Sequence, residues 1–259
     1  MINNKAILIQ NLSMQYGNLI AVNNLNLNIN YGQIFGLLGP NGAGKTTIVR
    51  ILNCILKPSA GKAHILGFDI IEQSNNVKKN TGYLPETPAL YEKLTPEEYL
   101  EFVGELYYMP KALIKNRTKE LLELFDLDSR KMDLIGKFSK GMKQKVNICA
   151  ALIQDPKILF LDEPTSNLDP ASAKIVKNLI KKLAKDAKKT IFICTHLLNV
   201  AIELCDKIGI IDKGTLLVEG IPEEIINSGD YMNLEDAYLK ILDTSHDKDL
   251  LRWRKKKIK

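Results

Sequence analysis

The stretch Gln33-Ile-Phe-Gly-Leu-Leu-Gly-Pro-Asn-Gly-Ala-Gly-Lys-Thr46 runs from a mostly apolar segment into a glycine-rich loop. The apolar segment, 33–38, has the composition of a strand that is buried on both faces of a sheet. A helical pattern follows the loop, from Lys45 to about Leu56. The sequence therefore predicts a buried strand, a tight loop and a helix in direct succession, which is the opening unit of an α/β domain.

The loop itself, Gly39 to Thr46, fits the pattern G-x-x-x-x-G-K-[ST]. Its glycines let backbone N–H groups turn inward around phosphate oxygens, and the following helix directs the positive end of its dipole at the same anion. Lys45 adds a charge toward the β- and γ-phosphates, and the hydroxyl of Thr46 is a ligand for Mg²⁺. The loop is therefore predicted to bind a nucleotide phosphate chain.

A second segment supplies the acidic half of such a site. Ile158-Leu-Phe-Leu161 is an apolar strand that ends in Asp162 and Glu163. The carboxyl end of a parallel strand lies at the sheet edge where phosphates bind, so Asp162 is expected to hold Mg²⁺. Glu163 is expected to position or deprotonate the attacking water.

Shortly before this strand lies Phe138-Ser-Lys-Gly-Met-Lys-Gln144. With this motif the chain resembles the ATP-binding cassette family, from residue 5 to about 243. The motif is similar to the family's signature Leu-Ser-Gly-Gly-Gln: Ser139 and Gly141 keep its core, while Lys140 and Met142 differ. This variant is familiar in ATPases that are paired with exporter-type permeases. A serine N-cap beside a glycine is also, physically, a second anion site.

The resemblance assigns further residues. Tyr16 is similar to the aromatic that stacks on adenine, Asn167 lies in a segment similar to the D-loop, and His196 resembles the switch histidine that contacts the γ-phosphate. Besides the catalytic Glu163, His196 and Lys45, the resemblance implies a set of nucleotide contacts. These are Tyr16, Gly39, Pro40, Asn41, Gly42, Ala43, Gly44, Lys45, Thr46, Thr47, Ser139 and Gly141.

One position departs from the family. Its Q-loop glutamine falls at Glu86 in Gly82-Tyr-Leu-Pro-Glu86. A glutamate accepts hydrogen bonds but cannot donate an N–H to the nucleophile. It can still bind Mg²⁺ through water, so the expected metal ligands are Thr46, Asp162 and Glu86.

The rest of the chain is organised around these motifs. Alternating residues at 21–30, with 5–11, predict an antiparallel sheet, and strand–helix alternation returns after 157. Asp212-Lys213-Gly214, between two apolar segments, predicts a hairpin turn. Between them, about 87–155 is mostly helical and begins at a capping box formed by Thr95 and Glu98. We therefore expect an α/β fold of the P-loop NTPase type, with a mixed central sheet, an N-terminal antiparallel β subdomain and an inserted helical subdomain.

The excess positive charge of the chain is concentrated at its C-terminal end. The chain has 259 residues and a net charge of +6, from 36 basic and 30 acidic residues. Six of the basic residues lie in the last eight, Arg252 to Lys259, so the remaining 30 balance the 30 acids. We expect an ATPase domain at 1–243 and a basic tail at 244–259. The tail is suited to contact anionic lipid, and no nucleic-acid partner is expected.

The composition also bears on location. No apolar run approaches the roughly 20 residues that span a bilayer, no secretory signal is evident, and the four cysteines form no CxxC pair. The protein is therefore expected in the cytoplasm, with a membrane-spanning permease on a separate chain.

The resemblance implies a composite mechanism. Two chains, either two copies of this one or this chain with a paired cassette, sandwich two ATP–Mg²⁺. Each is held by Lys45 and Thr46 of one chain and Ser139 of the other. Hydrolysis opens this dimer and drives the permease, in the direction of export, at the cytoplasmic face of the membrane. Two alternatives remain open at this stage: a soluble cassette ATPase that acts on nucleic acid or ribosomes, and a non-catalytic nucleotide-dependent adaptor.

Overall fold

The computed structural model describes residues 5–87, 89–229 and 231–242. The expected basic tail and its lipid contact lie outside these residues, so the division near residue 243 stays a prediction.

The strands are β1 (Lys5–Tyr16), β2 (Leu19–Asn30), β3 (Ile34–Leu38), β4 (Ala60–Ile65), β5 (Phe68–Asp69), β6 (Thr81–Leu84), β7 (Ile158–Asp162), β8 (Thr190–Thr195), β9 (Lys207–Asp212) and β10 (Thr215–Gly220). The α-helices are α1 (Lys45–Leu52), α2 (Ser74–Asn80), α3 (Pro96–Leu106), α4 (Lys111–Leu124), α5 (Lys140–Leu152), α6 (Pro170–Lys185), α7 (Leu198–Leu204), α8 (Pro222–Asn227) and α9 (Leu234–Ile241).

Two sheets form the framework, as the sequence predicted. The antiparallel sheet has the order β2-β1-β4-β5, and the central sheet has the order β10-β9-β3-β8-β7-β6. In the central sheet only the β10–β9 pairing is antiparallel. The loops after β3, β6, β7, β8 and β9 therefore all leave the sheet at the same edge, which gathers the motif residues there.

Both faces of the central sheet are covered, which explains its continuous apolar strands. Along β8, Ile191 and Ile193 face a core shared with the helices, whereas Phe192 and Cys194 face the antiparallel sheet. On that second face Phe192 lies between Phe35 and Phe160, with ring centroids 5.4 and 5.7 Å away. The phosphate-loop strand β3 is thus fixed from both sides.

The helical stretch between β6 and β7 shares a core with the central sheet, since Leu100, Leu122 and Phe125 join Leu159 and Ile191 in one buried cluster. The predicted capping box is present: Glu98 N donates to Thr95 Oγ1 and Thr95 N donates to Glu98 Oε2.

One helix is shorter than its pattern predicted. The helix after the phosphate loop ends at Leu52 rather than Leu56, because Cys54 adopts a φ of 56° that no helix continues through. In the helical stretch, α3 and α4 are separate helices, because Tyr108 has a φ of 56° and Pro110 follows. None of the helices in the described ranges combines the length and apolarity that crossing a membrane requires.

Candidate functional site

The phosphate loop lies between β3 and α1, and close contacts with neighbouring backbone explain why two of its residues are glycine. A Cβ on Gly39 would lie 2.3 Å from the carbonyl oxygen of Ile211 on β9, so only glycine fits. Gly44, the N-cap of α1, has a φ of 105°, a region that side chains disfavour, and a Cβ there would meet the carbonyl oxygen of Ala21 at 2.3 Å. The loop therefore packs closely against strand β2 on one side and against the end of β9 on the other.

Lys45 is held inside this loop. Its side chain is 7% exposed, and its Nζ donates to the carbonyl oxygens of Gly39 (2.7 Å) and Pro40 (3.0 Å). Both hydrogen-bond acceptors of the ammonium group are neutral, so an anion entering the loop gains a charged hydrogen-bond partner. The geometry matches a phosphate-binding role.

A hydroxyl and a carboxylate meet beside Lys45. Thr46 Oγ1 donates to Asp162 Oδ2 at 2.8 Å, and Asp162 is only 1% exposed. Burial raises the pKa of Asp162 to about 6; the Glu86 and Glu163 carboxylates add to the rise, while the Thr46 hydrogen bond and Lys45 oppose it. The pair offers hard oxygen donors that fit a divalent cation.

These donors form only part of a coordination shell. Within the described ranges no group of three or more His, Cys, Asp or Glu side chains is arranged to hold a metal. A cation bound at Thr46 and Asp162 would therefore need further oxygens, from phosphate or water.

Glu163 is the most constrained residue of the site. It is 5% exposed, and its backbone has a φ of 50°, an uncommon conformation for a residue other than glycine. Glu163 N donates to Cys194 O at 2.9 Å, while Glu163 O accepts from both N and Oγ of Ser166. The turn after β7 thus fixes where this carboxylate lies.

The carboxylate of Glu163 is hydrogen-bonded to the residues at the end of β8. Oε2 accepts from Thr195 Oγ1 at 2.9 Å, and Oε1 accepts from His196 N at 2.9 Å and contacts His196 Nδ1 at 2.7 Å. Because an ionised carboxylate only accepts, Nδ1 carries the hydrogen, which leaves Nε2 of His196 for another partner. The structure thus brings together Glu163 and His196, which the sequence analysis singled out separately.

One cleft of about 560 Å³ collects most of the predicted residues. It is lined by Tyr16, Asn41, Gly42, Ala43, Gly44, Lys45, Thr46, Thr47, Glu86, Asp162 and Glu163. Tyr16 is 44% exposed at its rim, which suits stacking on a base. The proposed nucleotide and metal residues therefore share one opening.

The signature residues are not part of this cleft. Ser139 is exposed and caps α5, accepting from Met142 N at 3.2 Å, and neither it nor Gly141 lines the cleft among the described residues. A Cβ on Gly141 would lie 3.0 Å from the carbonyl oxygen of Asn167, so the D-loop packs against the signature. In a single chain the signature serine is therefore exposed and lies apart from the cleft.

Sequence reasoning missed Lys213, which also lines the cleft. It lies at the tip of the hairpin between β9 and β10, where Gly214 N donates to Ala43 O at 2.9 Å. The turn was predicted, but not its place beside the phosphate loop. Because β9 runs parallel to β3, the turn after β9 leaves the sheet at the same edge as the phosphate loop. Recognising β9 as a parallel strand would therefore have placed Lys213 beside that loop.

A second cavity, of about 750 Å³, lies between the sheet and the helical stretch. We call it the side groove. Its lining includes Lys78, Lys79 and Tyr83 from the α2–β6 region, Leu106 and Tyr108 at the end of α3 and just beyond it, and Asn147 on α5. Leu106 and Tyr108 are 61% and 88% exposed, so an apolar rim faces outward.

The raised pKa of Asp162 predicts a pH-dependent stability. Between about pH 4 and 6 the folded chain binds a proton there that the unfolded chain does not, so stability falls as pH rises through this window. Asp162→Asn removes the buried charge. Without Mg²⁺ or nucleotide, the variant should be more stable than the parent by about 2–3 kcal/mol at pH 8 and equal to it near pH 3. Urea unfolding at both pH values measures this, and an equal gain at both would contradict the assigned charge.

Comparison with known proteins agrees with this geometry. The sequence pattern described as ABC transporter matches residues 22–166. An ABC transporter ATP-binding protein of Nostoc is 41% identical over 212 residues, which are 81% of this chain and 62% of that relative, so this chain spans less than two thirds of its length. The bacitracin transport ATP-binding protein BcrA of Bacillus licheniformis is 40% identical over 208 residues, 80% of this chain and 67% of that one.

Solved structures agree as well. The ATP-binding subunit of an ABC transporter superposes with a TM-score of 0.85 at 29% identity, covering 92% of this chain and 99% of that one. A dimeric ATP-binding cassette in a post-hydrolysis state, bound to ADP and Pi, superposes with a TM-score of 0.77 at 27% identity, covering 83% and 98%. By sequence pattern, by relatives and by fold, the chain belongs to the ABC transporter family.

Proposed function

We propose that this chain is the ATP-hydrolysing subunit of an ABC transporter and works as a dimer that closes around two ATP molecules. One observation carries the proposal: Lys45, Thr46, Asp162 and Glu163 share a cleft that the signature serine does not line. Each cleft then needs the signature of a second copy, and hydrolysis would couple nucleotide loss to opening of the pair.

The chain's own residues perform the binding step. The phosphates enter the loop between β3 and α1, where Lys45 exchanges its carbonyl partners for phosphate oxygens. Tyr16 stacks on the base at the rim of the cleft. Across the dimer, Ser139 and the first turn of α5 approach the γ-phosphate, where a helix N-terminus favours negative charge.

The donor set at Thr46 and Asp162 fits Mg²⁺, with Glu86 as a ligand through water. When bound, Mg²⁺ would neutralise charge on the β- and γ-phosphates. Glu163 orients and deprotonates the attacking water, and Thr195 and His196 fix the position of its carboxylate. His196 reaches the γ-phosphate through the nitrogen that Glu163 leaves open.

The membrane partner would be a permease on a separate chain. Relatives are named for bacitracin transport and for daunorubicin resistance, so we propose export as the direction of transport. The side groove is the proposed docking surface, because it lies between β6, which leads to Glu86, and the signature helix α5. Docking there would place the chain at the cytoplasmic face of the membrane. The basic tail would add contact with anionic lipid, and the proposal includes no nucleic-acid partner.

Lys45→Ala tests the assignment. Removing the charge from the phosphate loop should weaken binding of a fluorescent ATP analogue by about 10- to 100-fold, the loss of a charge-assisted contact, and should abolish phosphate release. The matched control is Lys157→Ala, an exposed lysine outside the cleft, which should behave as the parent chain. Phosphate release by Lys45→Ala at the parent rate would refute the proposed ATPase site.

A further inference from the structure

Two buried donors at the side groove have no acceptor among the described residues. Asn147 is 5% exposed, and no hydrogen bond among those residues satisfies its Nδ2. The buried Tyr83 hydroxyl lies beside the Arg50 guanidinium, which can only donate, so the hydroxyl proton is left without an acceptor. An unpaired buried polar atom costs stability, so its retention points to a group that arrives from outside.

Tyr83 and Asn147 belong to two elements that pack closely. Tyr83 lies on β6 and Asn147 on α5, and a Cβ on neighbouring Gly82 would lie 2.2 Å from the carbonyl oxygen of Ala151. Both residues line the same groove. A single incoming group can therefore contact the strand that leads to Glu86 and the helix that begins at the signature.

The chemistry of the groove selects this group. Asn147 Nδ2 is a donor, and burial raises the pKa of Tyr83 to about 12, so its hydroxyl keeps a proton to donate at physiological pH. Lys78 and Lys79 are exposed on the same lining, and no acidic residue lies among the described lining residues. Donors and positive charges together favour an anionic acceptor and disfavour a basic segment.

Resting on the docking proposed above, we propose that the permease segment that enters the side groove carries an aspartate or glutamate. Its carboxylate accepts from the Tyr83 hydroxyl and from Asn147 Nδ2. Lys78 and Lys79 supply the countercharge at the mouth, and the exposed side chains of Leu106 and Tyr108 cover the apolar part of the segment. The carboxylate would thus join β6 to α5.

Substitutions within this chain separate a docking role from a structural one. Tyr83→Phe and Asn147→Leu each remove an unpaired donor, so the isolated chain should keep or raise its melting temperature. Assembly with the permease in membranes of its own host should weaken about 10- to 100-fold, the loss of a hydrogen bond to a charged group. Thr118→Val is the matched control, because Thr118 is 3% exposed, also has an unpaired hydroxyl and lies outside the groove. Unchanged assembly in both groove variants would overturn the inference.

The partner segment is identified by cross-linking. A photoreactive amino acid placed at Leu106 is activated in host membranes, and mass spectrometry locates the attached peptide. We expect a segment of a membrane protein with an Asp or Glu; replacing that acid by Lys should abolish assembly, and Lys79→Glu should restore it. A membrane segment with no acid overturns this inference and leaves the proposed function standing. Attachment to no membrane protein at all overturns both.

Discussion

Glu163→Gln should reduce ATP turnover by about 10²- to 10⁴-fold while leaving ATP affinity within a few-fold of the parent. The amide keeps the shape of the side chain and can still accept from His196 N, so the turn after β7 is retained. It cannot take a proton from water. ATP-bound dimers should then accumulate, because hydrolysis no longer removes the γ-phosphates that hold the two copies together.

Phosphate release and equilibrium ATP binding measure the two halves of this prediction. Glu219→Gln is the matched control: Glu219 lies on β10, pairs with Lys207 and does not line the cleft, so its variant should hydrolyse ATP normally. Turnover by Glu163→Gln close to that of the parent chain would remove Glu163 from the mechanism.

Ser139→Arg should abolish ATP-dependent dimers without weakening ATP binding by the single chain. Ser139 is exposed at the start of α5 and does not line the cleft, so its replacement leaves Lys45 and Thr46 untouched. A bulky cation there blocks close approach of the second copy. The lost N-cap costs the helix only about 1 kcal/mol.

Sedimentation in ATP and Mg²⁺, in a Glu163→Gln background, measures this second effect. Asn233→Arg is the control, because Asn233 is another exposed N-cap, accepting from Asp236 N at 2.9 Å at the start of α9. We expect the Asn233 variant to dimerise and the Ser139 variant to remain a single chain. Dimers of the Ser139 variant would contradict a site shared between copies.

Much of this fold could be predicted from short stretches of sequence. The apolar run before Gly39, the capping box at Thr95 and the hairpin turn at Lys213 each follow from a few neighbouring residues, and the structure contains all three. Parallel strands then force the phosphate loop and Asp162 to one edge. This part of the site could be predicted because sheet topology fixes it once the strands are recognised.

The remaining features of the fold and the site depend on contacts between residues that are far apart in the sequence. The residues near Cys54 do not predict the φ of 56° that ends α1. The contact between Glu163 and His196 joins the loops that follow two different strands, β7 and β8. The separation of Ser139 from the cleft was expected from family resemblance alone. Unpaired donors such as Asn147 appear only once a structure shows which side chains surround them.

We propose that two copies complete each other's site, and a disulfide between the copies tests this most directly. One chain carries Asn41→Cys in the phosphate loop and another carries Ser139→Cys, both in the Glu163→Gln background. With ATP and Mg²⁺, a mild oxidant should join the two 29.1 kDa chains into a species of twice that mass, and omission of ATP should prevent it. Failure to form this species in ATP, with both cysteines reactive, would contradict a site that is shared between two copies.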